Sequence, residues 1–274
     1  MKNALSIDLE DWFCVHNFAD AIPFSSWDSK ELRVRKNTEQ LLDILNRHSV
    51  KATFFVLGWI AKKAPDLIKE ISAAGHEIAS HGYGHLLTKT LTPVTFEKDL
   101  ASSLEAIRAC VSNQVIGFRA PSFSIDRTTL WVFDVLTKFG IRYDSSIFPI
   151  SFHPDYGVRD GVLSIYKVTD SLTEFPMSCF KFMGMTIPCC GGGYFRLFPY
   201  GLIRFGIRRC NRENRPVVFY LHPWEIDPGQ PRVTQISRLK RFRHYYNIGK
   251  TAKRLDRLLS DFEFGTIAEV LGLA

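Results

Sequence analysis

Short apolar runs of strand length alternate with longer segments of helical period through the first half of the chain. "ALSID" (from residue 4) is followed by "NTEQLLDILNRHS", "KATFFVLG", "APDLIKEISAAG", "HEIASH", "TFEKDLASSLEAIRACVS", "VIGFRAP" and "RTTLWVFDVLTKFG". The fourth helical segment ends on Gly140, and the third opens on a threonine. Strands separated by helices form a parallel sheet, open or closed into a barrel, whose functional residues gather at the strand C-termini. From residue 148 to about 200 the pattern loosens, with Pro149, Pro154, Gly157, Gly161, Pro176, Pro188 and the triplet "GGG" at 191–193. This sector reads as an irregular insertion, because "RPVVFYLHPWE" afterwards resumes the strand-then-site format. A basic helical segment, "TAKRLDRLLSDF", and a short strand, "EFGTI", close the chain. The expectation is one domain over 1–274, with a core at 4–225 and a C-terminal helix and strand in 226–274. At 274 residues with 46% hydrophobic content, the chain can bury such a core.

The opening "MKNALSIDLEDW" lacks the basic and long apolar regions of a secretory signal, and no run approaches the roughly 20 apolar residues of a membrane span. The expected location is cytoplasmic. Six cysteines (Cys14, Cys110, Cys179, Cys189, Cys190, Cys210) form no CxxC pair, so packed, reduced thiols are expected. The net charge of +7 bears on association rather than fold. No nucleic-acid-binding motif accompanies it, and a nucleic-acid partner is not expected.

Polar residues recur where strands end. "SIDLEDW" places Asp8, Glu10 and Asp11 directly after the first apolar run. Strand alternation puts Asp8 and Glu10 on one side and Asp11 on the other, whereas a turn starting at Glu10 would rotate Asp11 inward. In "ASHGYGH", His81 and His85 sit on a glycine-rich loop, where two imidazoles can converge on one borderline-soft cation. "GFRAPSF" delivers Arg119, a permanently charged donor fork suited to a carboxylate. "VVFYLHPWE" delivers His222, locked by Pro223 and followed by Trp224 and Glu225.

These four stretches, in this order, resemble the polysaccharide deacetylase family, the NodB-type domain of carbohydrate esterase family four. The resemblance spans roughly residues 4–225 and includes "KATFFVLGW" and "GHEIASHGYGH". "HPDYGVRDG" (from 153) and "GGGYFRLFPY" (from 191) resemble a subgroup linked to bacterial exopolysaccharide and lipid-linked glycan loci. The resemblance implies a distorted (β/α) barrel. It also implies metal-dependent hydrolysis of the N-acetyl group of a sugar in a bacterial surface glycan or its precursor. Position by position, it gives Asp8 the role of base, Arg119 that of orienting the base, and His222 that of general acid. His81 and His85 match the metal-binding histidines. The backbone N–H of Ser122 stands where the family usually has a tyrosine as oxyanion donor. Two departures remain. The family's adjacent aspartate pair is replaced by Asp8-Leu9-Glu10-Asp11, which makes Glu10 the expected third ligand and Asp11 the alternative. The tryptophan-containing fourth motif has no clear match, and Asp144 and Glu174 are candidates for its supporting role.

The ligand set suits Zn²⁺ foremost, with Co²⁺ and Ni²⁺ as alternatives. Trp12, Phe13, Tyr194, Phe195 and Trp224 fall near the strand ends, where aromatic faces can stack on sugars. The basic stretch 238–257 is a candidate for peripheral contact with an anionic membrane surface or a diphosphate-linked glycan. Two other functions fit the same residues less well: an amidase acting on a non-sugar C–N bond, and a non-catalytic carbohydrate-binding homologue. Oligomeric state, sugar identity and the lipid or nucleotide linkage of the substrate are left open.

Overall fold

The computed structural model describes residues 1–150 and 157–274. Its eleven strands, in chain order, are β1 (Asn3–Leu9), β2 (Thr53–Val56), β3 (Glu77–Ser80), β4 (Gly117–Phe118), β5 (Tyr143–Asp144), β6 (Tyr166–Lys167), β7 (Thr173–Glu174), β8 (Cys179–Phe182), β9 (Met185–Pro188), β10 (Val218–Leu221) and β11 (Phe264–Gly265). Among the described residues, the main sheet runs β10-β1-β2-β3-β4-β5-β7-β6, with β11 pairing with the start of β1 on the edge opposite β10. All pairings in it are parallel except β6 with β7. The sheet curls into a half-barrel ringed by helices, as the alternating sequence predicts.

The central strand β1 is buried at all seven positions, which explains why "NALSIDL" shows no clean inside–outside alternation. It pairs with β2 through Ser6 to Leu9 and with β10 through Ala4 to Ile7, so its C-terminal end carries Asp8 into the middle of the barrel mouth. Helix Val34–Arg47 packs Leu41, Ile44 and Leu45 inward, and helix Pro93–Arg108 does the same with Phe96, Leu100, Leu104 and Ile107. The threonine that caps the latter is Thr92: its side chain accepts from the N–H of Thr95, and Thr95 returns a bond to the Thr92 N–H.

The sector from 148 to 200 is more than an insertion, because β7 extends the main sheet from β5 and β6 closes its edge. Strands β8 and β9 form a separate hairpin. The first four residues of "HPDYGVRDG" lie outside the described residues. All six cysteines are free, and five are buried. Those at 179, 189, 190 and 210 lie between the hairpin and helix Tyr200–Arg212, where Cys189 Sγ is 3.4 Å from Cys190 Sγ and the Cys210 thiol donates to the Cys179 carbonyl. No described helix is long and apolar enough to cross a membrane.

The basic stretch 238–257 is split into helices Arg238–Tyr245 and Ile248–Asp261. Part of its charge is engaged by the protein itself, while Arg238, Arg241, Lys250 and Lys253 are exposed. Arg254 donates to the carbonyls of Phe195, Arg196 and Phe198, and Arg257 lies 4.5 Å from the Tyr200 ring centroid.

The "GGG" triplet starts helix Gly192–Leu197, which borders the barrel mouth. Gly191 has φ +109°, and a Cβ there would fall 2.3 Å from both the ring and the carbonyl oxygen of Tyr220 on β10. Gly191→Ala therefore combines backbone strain with a clash against a strand, and is expected to cost about 3 kcal/mol in urea unfolding. Gly193→Ala, where a Cβ meets nothing within 4 Å, is expected to cost less than about 1 kcal/mol.

Candidate active site

At the C-terminal end of β1 the chain bends at once: the N–H of Glu10 donates to the Asp8 carbonyl, so the carboxylates of Asp8 and Glu10 both reach the barrel mouth. Asp8 Oδ1 accepts from Arg119 Nη1 at 2.6 Å. Arg119 follows β4 and is wholly buried, and each of its nitrogens has an acceptor. Nη1 also reaches Ser6 Oγ, Nε donates to the Ser145 carbonyl, and Nη2 donates to Ser145 Oγ. Its guanidinium lies 4.1 Å from the Phe55 ring centroid.

His81 leaves β3 and His85 follows four residues on. Gly82 (φ +72°) and His85 (φ +56°) are both left-handed, and this is what folds the loop tightly. Asp99, from the helix behind, accepts the N–H of Tyr83 and braces the loop. His81 Nδ1 donates to the Arg119 carbonyl, leaving Nε2 to face Glu10 Oε1 at 3.2 Å, while His85 Nε2 lies 3.0 Å from the same oxygen. Burial alone would raise the Glu10 pKa, but His85, His222 and His81 together hold it well below the ordinary carboxylate range. Three ligand atoms of Glu10, His81 and His85 lie within 4.8 Å of one another. An anionic oxygen converging with imidazole nitrogens is a donor set that fits a divalent cation of zinc type.

His222, after β10, faces this cluster. Its Nε2 is 3.7 Å from Glu10 Oε1 and 3.8 Å from Asp8 Oδ2. Its Nδ1 bonds Glu225 Oε1 at 2.6 Å, because the single 3₁₀ turn Pro223–Ile226 brings positions three apart together. Glu225 is in turn fixed by Arg196 Nε at 2.7 Å, and Arg196 Nη1 donates to the carbonyls of Arg243, His244 and Tyr246. Burial opposes charging the imidazole, yet Glu10, Glu225 and Asp8 outweigh it and push its pKa up to about 9. Burial likewise opposes charge on Glu225, but Arg196 and His222 keep its pKa below the usual value.

Ser122 lines the same cleft. It and Phe123 are consecutive non-glycine residues in the left-handed region, at φ 52° and 53°. Such strain is held where the surrounding structure imposes it, here by the bend that carries the chain across the cleft.

Residues 20–143 match the polysaccharide deacetylase family, and residues 145–272 match a domain of unknown function (DUF3473). A chitooligosaccharide deacetylase of Sinorhizobium fredii (strain NBRC 101917 / NGR234) is 39% identical over 36% of this chain and 44% of its own length. A peptidoglycan deacetylase of Helicobacter pylori (strain ATCC 700392 / 26695) is 31% identical over 44% of this chain and 40% of its own. Residues 20–143 carry the polysaccharide deacetylase match. The alignments span about half or less of the curated relatives. A Mycobacterium smegmatis structure assigned as a polysaccharide deacetylase superposes with TM-score 0.60 at 21% identity, over 99% of this chain and 90% of that one. A family four pseudoenzyme from Bacillus anthracis superposes with TM-score 0.52 at 16% identity, over 99% and 66%. Fold likeness therefore does not settle catalysis in this deacetylase fold; the side chains must.

Several expected residues have other surroundings than the sequence suggests. Asp11 faces away from the histidines. Its carboxylate accepts the N–H groups of Trp12, Arg33 and Val34 and so caps helix Val34–Arg47, although burial lifts its pKa to about 6 against those bonds. Trp12 is buried, donates to the Glu31 carbonyl and packs edge-on against Phe13. Phe13 and Phe195 are also core residues. Trp224 lines the cleft, with its faces stacked on His222 and His244 at centroid distances of 5.0 and 4.3 Å. Tyr194 does line the cleft. Asp144 and Glu174 sit side by side on β5 and β7, fully buried. Burial raises both pKa values, and Asp144 holds Ser146, whose hydroxyl accepts the N–H of Ala120. They support the Arg119 strand end, and the supporting role at His222 belongs to Glu225 and Arg196.

The two carboxylates separate by titration. Glu10→Ala is expected to abolish Zn²⁺ binding in calorimetry. Asp11→Ala keeps it but loses about 3 kcal/mol of stability, because three buried N–H groups lose their acceptor.

Proposed function

We propose that this protein hydrolyses the acetamide of an N-acetylated sugar in a saccharide, releasing acetate. The observation that carries the reading is the opposition of two ion-paired groups, Asp8 with Arg119 and His222 with Glu225, 3.8 Å apart beside Glu10, His81 and His85. We take the chain as one functional unit. Asp8 and Glu10 precede the residues matched to the deacetylase family and His222 follows them, so neither matched stretch alone holds a complete site.

Glu10, His81 and His85 would hold a divalent cation, Zn²⁺ by donor type, which supplies Lewis acidity toward the acetamide oxygen and acidifies water. Asp8 accepts the proton of the attacking water, its charge balanced and its orientation fixed by Arg119. Ser122 lines the cleft, and its N–H would be the donor to the oxyanion. His222, protonated through neutrality, gives its proton to the leaving nitrogen, and Glu225 stabilises the imidazolium while fixing Nε2 toward the cleft.

Acetate release from N-acetylglucosamine oligomers is expected to require added Zn²⁺ or Co²⁺, and to fall by at least about a thousandfold in Asp8→Asn and about a hundredfold in His222→Ala. Metal binding without acetate from any N-acetyl sugar would turn the reading toward an amidase of non-sugar substrates. The pH profile tests the acid separately. Because Glu225 stabilises charged His222, Glu225→Gln lowers the folded-state pKa, and the alkaline limb of kcat/KM is expected to move to lower pH by about one unit. An unmoved limb would remove His222 from the role.

A further inference from the structure

Away from the cleft, the β8–β9 hairpin is joined by a two-residue turn, Met183-Gly184, with φ 48° and 78°. Both values are positive, the geometry of a type I′ turn, in which Asn-Gly is the favoured pair and a bulky apolar residue at the first position is strained. Met183 is nonetheless 83% exposed there, and the turn is flanked by Phe182 and Met185, 44% and 59% exposed. Folding gains nothing from a methionine held out in water on a strained turn.

Against this tip packs helix Tyr200–Arg212. Its inner face buries Ile203, Gly206, Ile207 and Cys210, while Phe205, 44% exposed, touches the hairpin through Phe180 and Phe182 with ring centroids at 5.7 and 6.5 Å. Beside Phe205 runs a row of arginines four residues apart, Arg204, Arg208 and Arg212, which share one helix face. Among the described residues, Arg208 and Arg212 make no ion pair, and Arg204 has only a distant one, 3.9 Å to Asp261.

We propose that this surface docks the protein on an anionic lipid bilayer, the hairpin tip entering the acyl boundary while the arginine row meets acidic headgroups. The two parts are complementary to the two layers a bilayer presents: apolar side chains protrude at one end, and guanidinium groups lie alongside on a rigid helix. A free anion or a nucleic acid would use the arginines but has no use for exposed Phe182, Met183 and Met185. The basic stretch 238–257, which also exposes cations at Arg238, Arg241, Lys250 and Lys253, is the competing surface, and the Lys240→Gln/Arg241→Gln variant separates the two.

Co-sedimentation of the full chain with vesicles of phosphatidylcholine and phosphatidylglycerol at 7:3 tests the proposal. Wild type is expected to bind these vesicles and not pure phosphatidylcholine, and to release with added salt. The triple variant Arg204→Gln/Arg208→Gln/Arg212→Gln is expected to lose on the order of a hundredfold in partitioning. Met183→Asn is expected to lose about tenfold while its melting temperature holds or rises, since Asn suits the turn. Four results would overturn the proposal: no binding by wild type, equal binding to pure phosphatidylcholine, partitioning unchanged in the triple variant or in Met183→Asn, or loss instead on Lys240→Gln/Arg241→Gln. Tighter retention on a DNA oligonucleotide than on the vesicles, abolished by the same arginine changes, would also overturn it.

Discussion

A guanidinium removed entirely from water is tolerated only if its donors are all met and its charge is balanced, and Arg119 imposes that requirement on four elements at once. It binds Ser6 and Asp8 on β1 and Ser145 after β5, and it stacks on Phe55 of β2. Its own carbonyl fixes the tautomer of His81 after β3. The proposed base, Asp8, and His81 are thereby referred to the same residue. A displacement of Arg119 would disturb both halves of the chemistry together, and the strand ends of the half-barrel are kept in step by this one side chain.

The acid side is organised independently. His222, Glu225 and Arg196 form a chain of alternating charge that ends on the carbonyls of Arg243, His244 and Tyr246, so the C-terminal helical segment is the outer wall of the acid's environment. Two nearly separate networks, one around Arg119 and one around Arg196, meet only at the gap between Asp8, Glu10 and His222. This division allows a group that must be charged to give up a proton and a group that must accept one to stand a few ångströms apart, each held by its own partner.

Much of this was legible in the sequence because the residues stand at the ends of apolar runs. Asp8 and Glu10 do share the cleft, but through the bend at Glu10 rather than through strand alternation, and the glycines around His81 and His85 signalled the loop that the structure shows. The aromatic assignments were weaker for a physical reason. Apolar area is valued in the core as much as at a sugar platform, and Trp12, Phe13 and Phe195 went to the core while Trp224, in the cleft, stacks on histidine rings. Arg196 could not be found by spacing, since its partner lies 29 positions away and is reached only through the fold. Glu225 could have been found: three residues from His222 with a proline between, it sits where a 3₁₀ turn aligns side chains. The strands β4, β5 and β7 are two residues each, and their pairing is set by the strands before them rather than by local propensity.

The placement of β10 beside β1 has a consequence for how the protein comes into being. The first strand carries Asp8, with Glu10 just after it, yet its neighbour on one side arrives roughly 200 residues later, with His222 just beyond it. At about 5–20 residues per second, that interval is some 10–40 s of synthesis. During it β1 has β2 but not β10, and Asp8 has no acid to work with. On the proposed reading, a nascent chain therefore lacks a complete site until β10 and the residues just after it have been made.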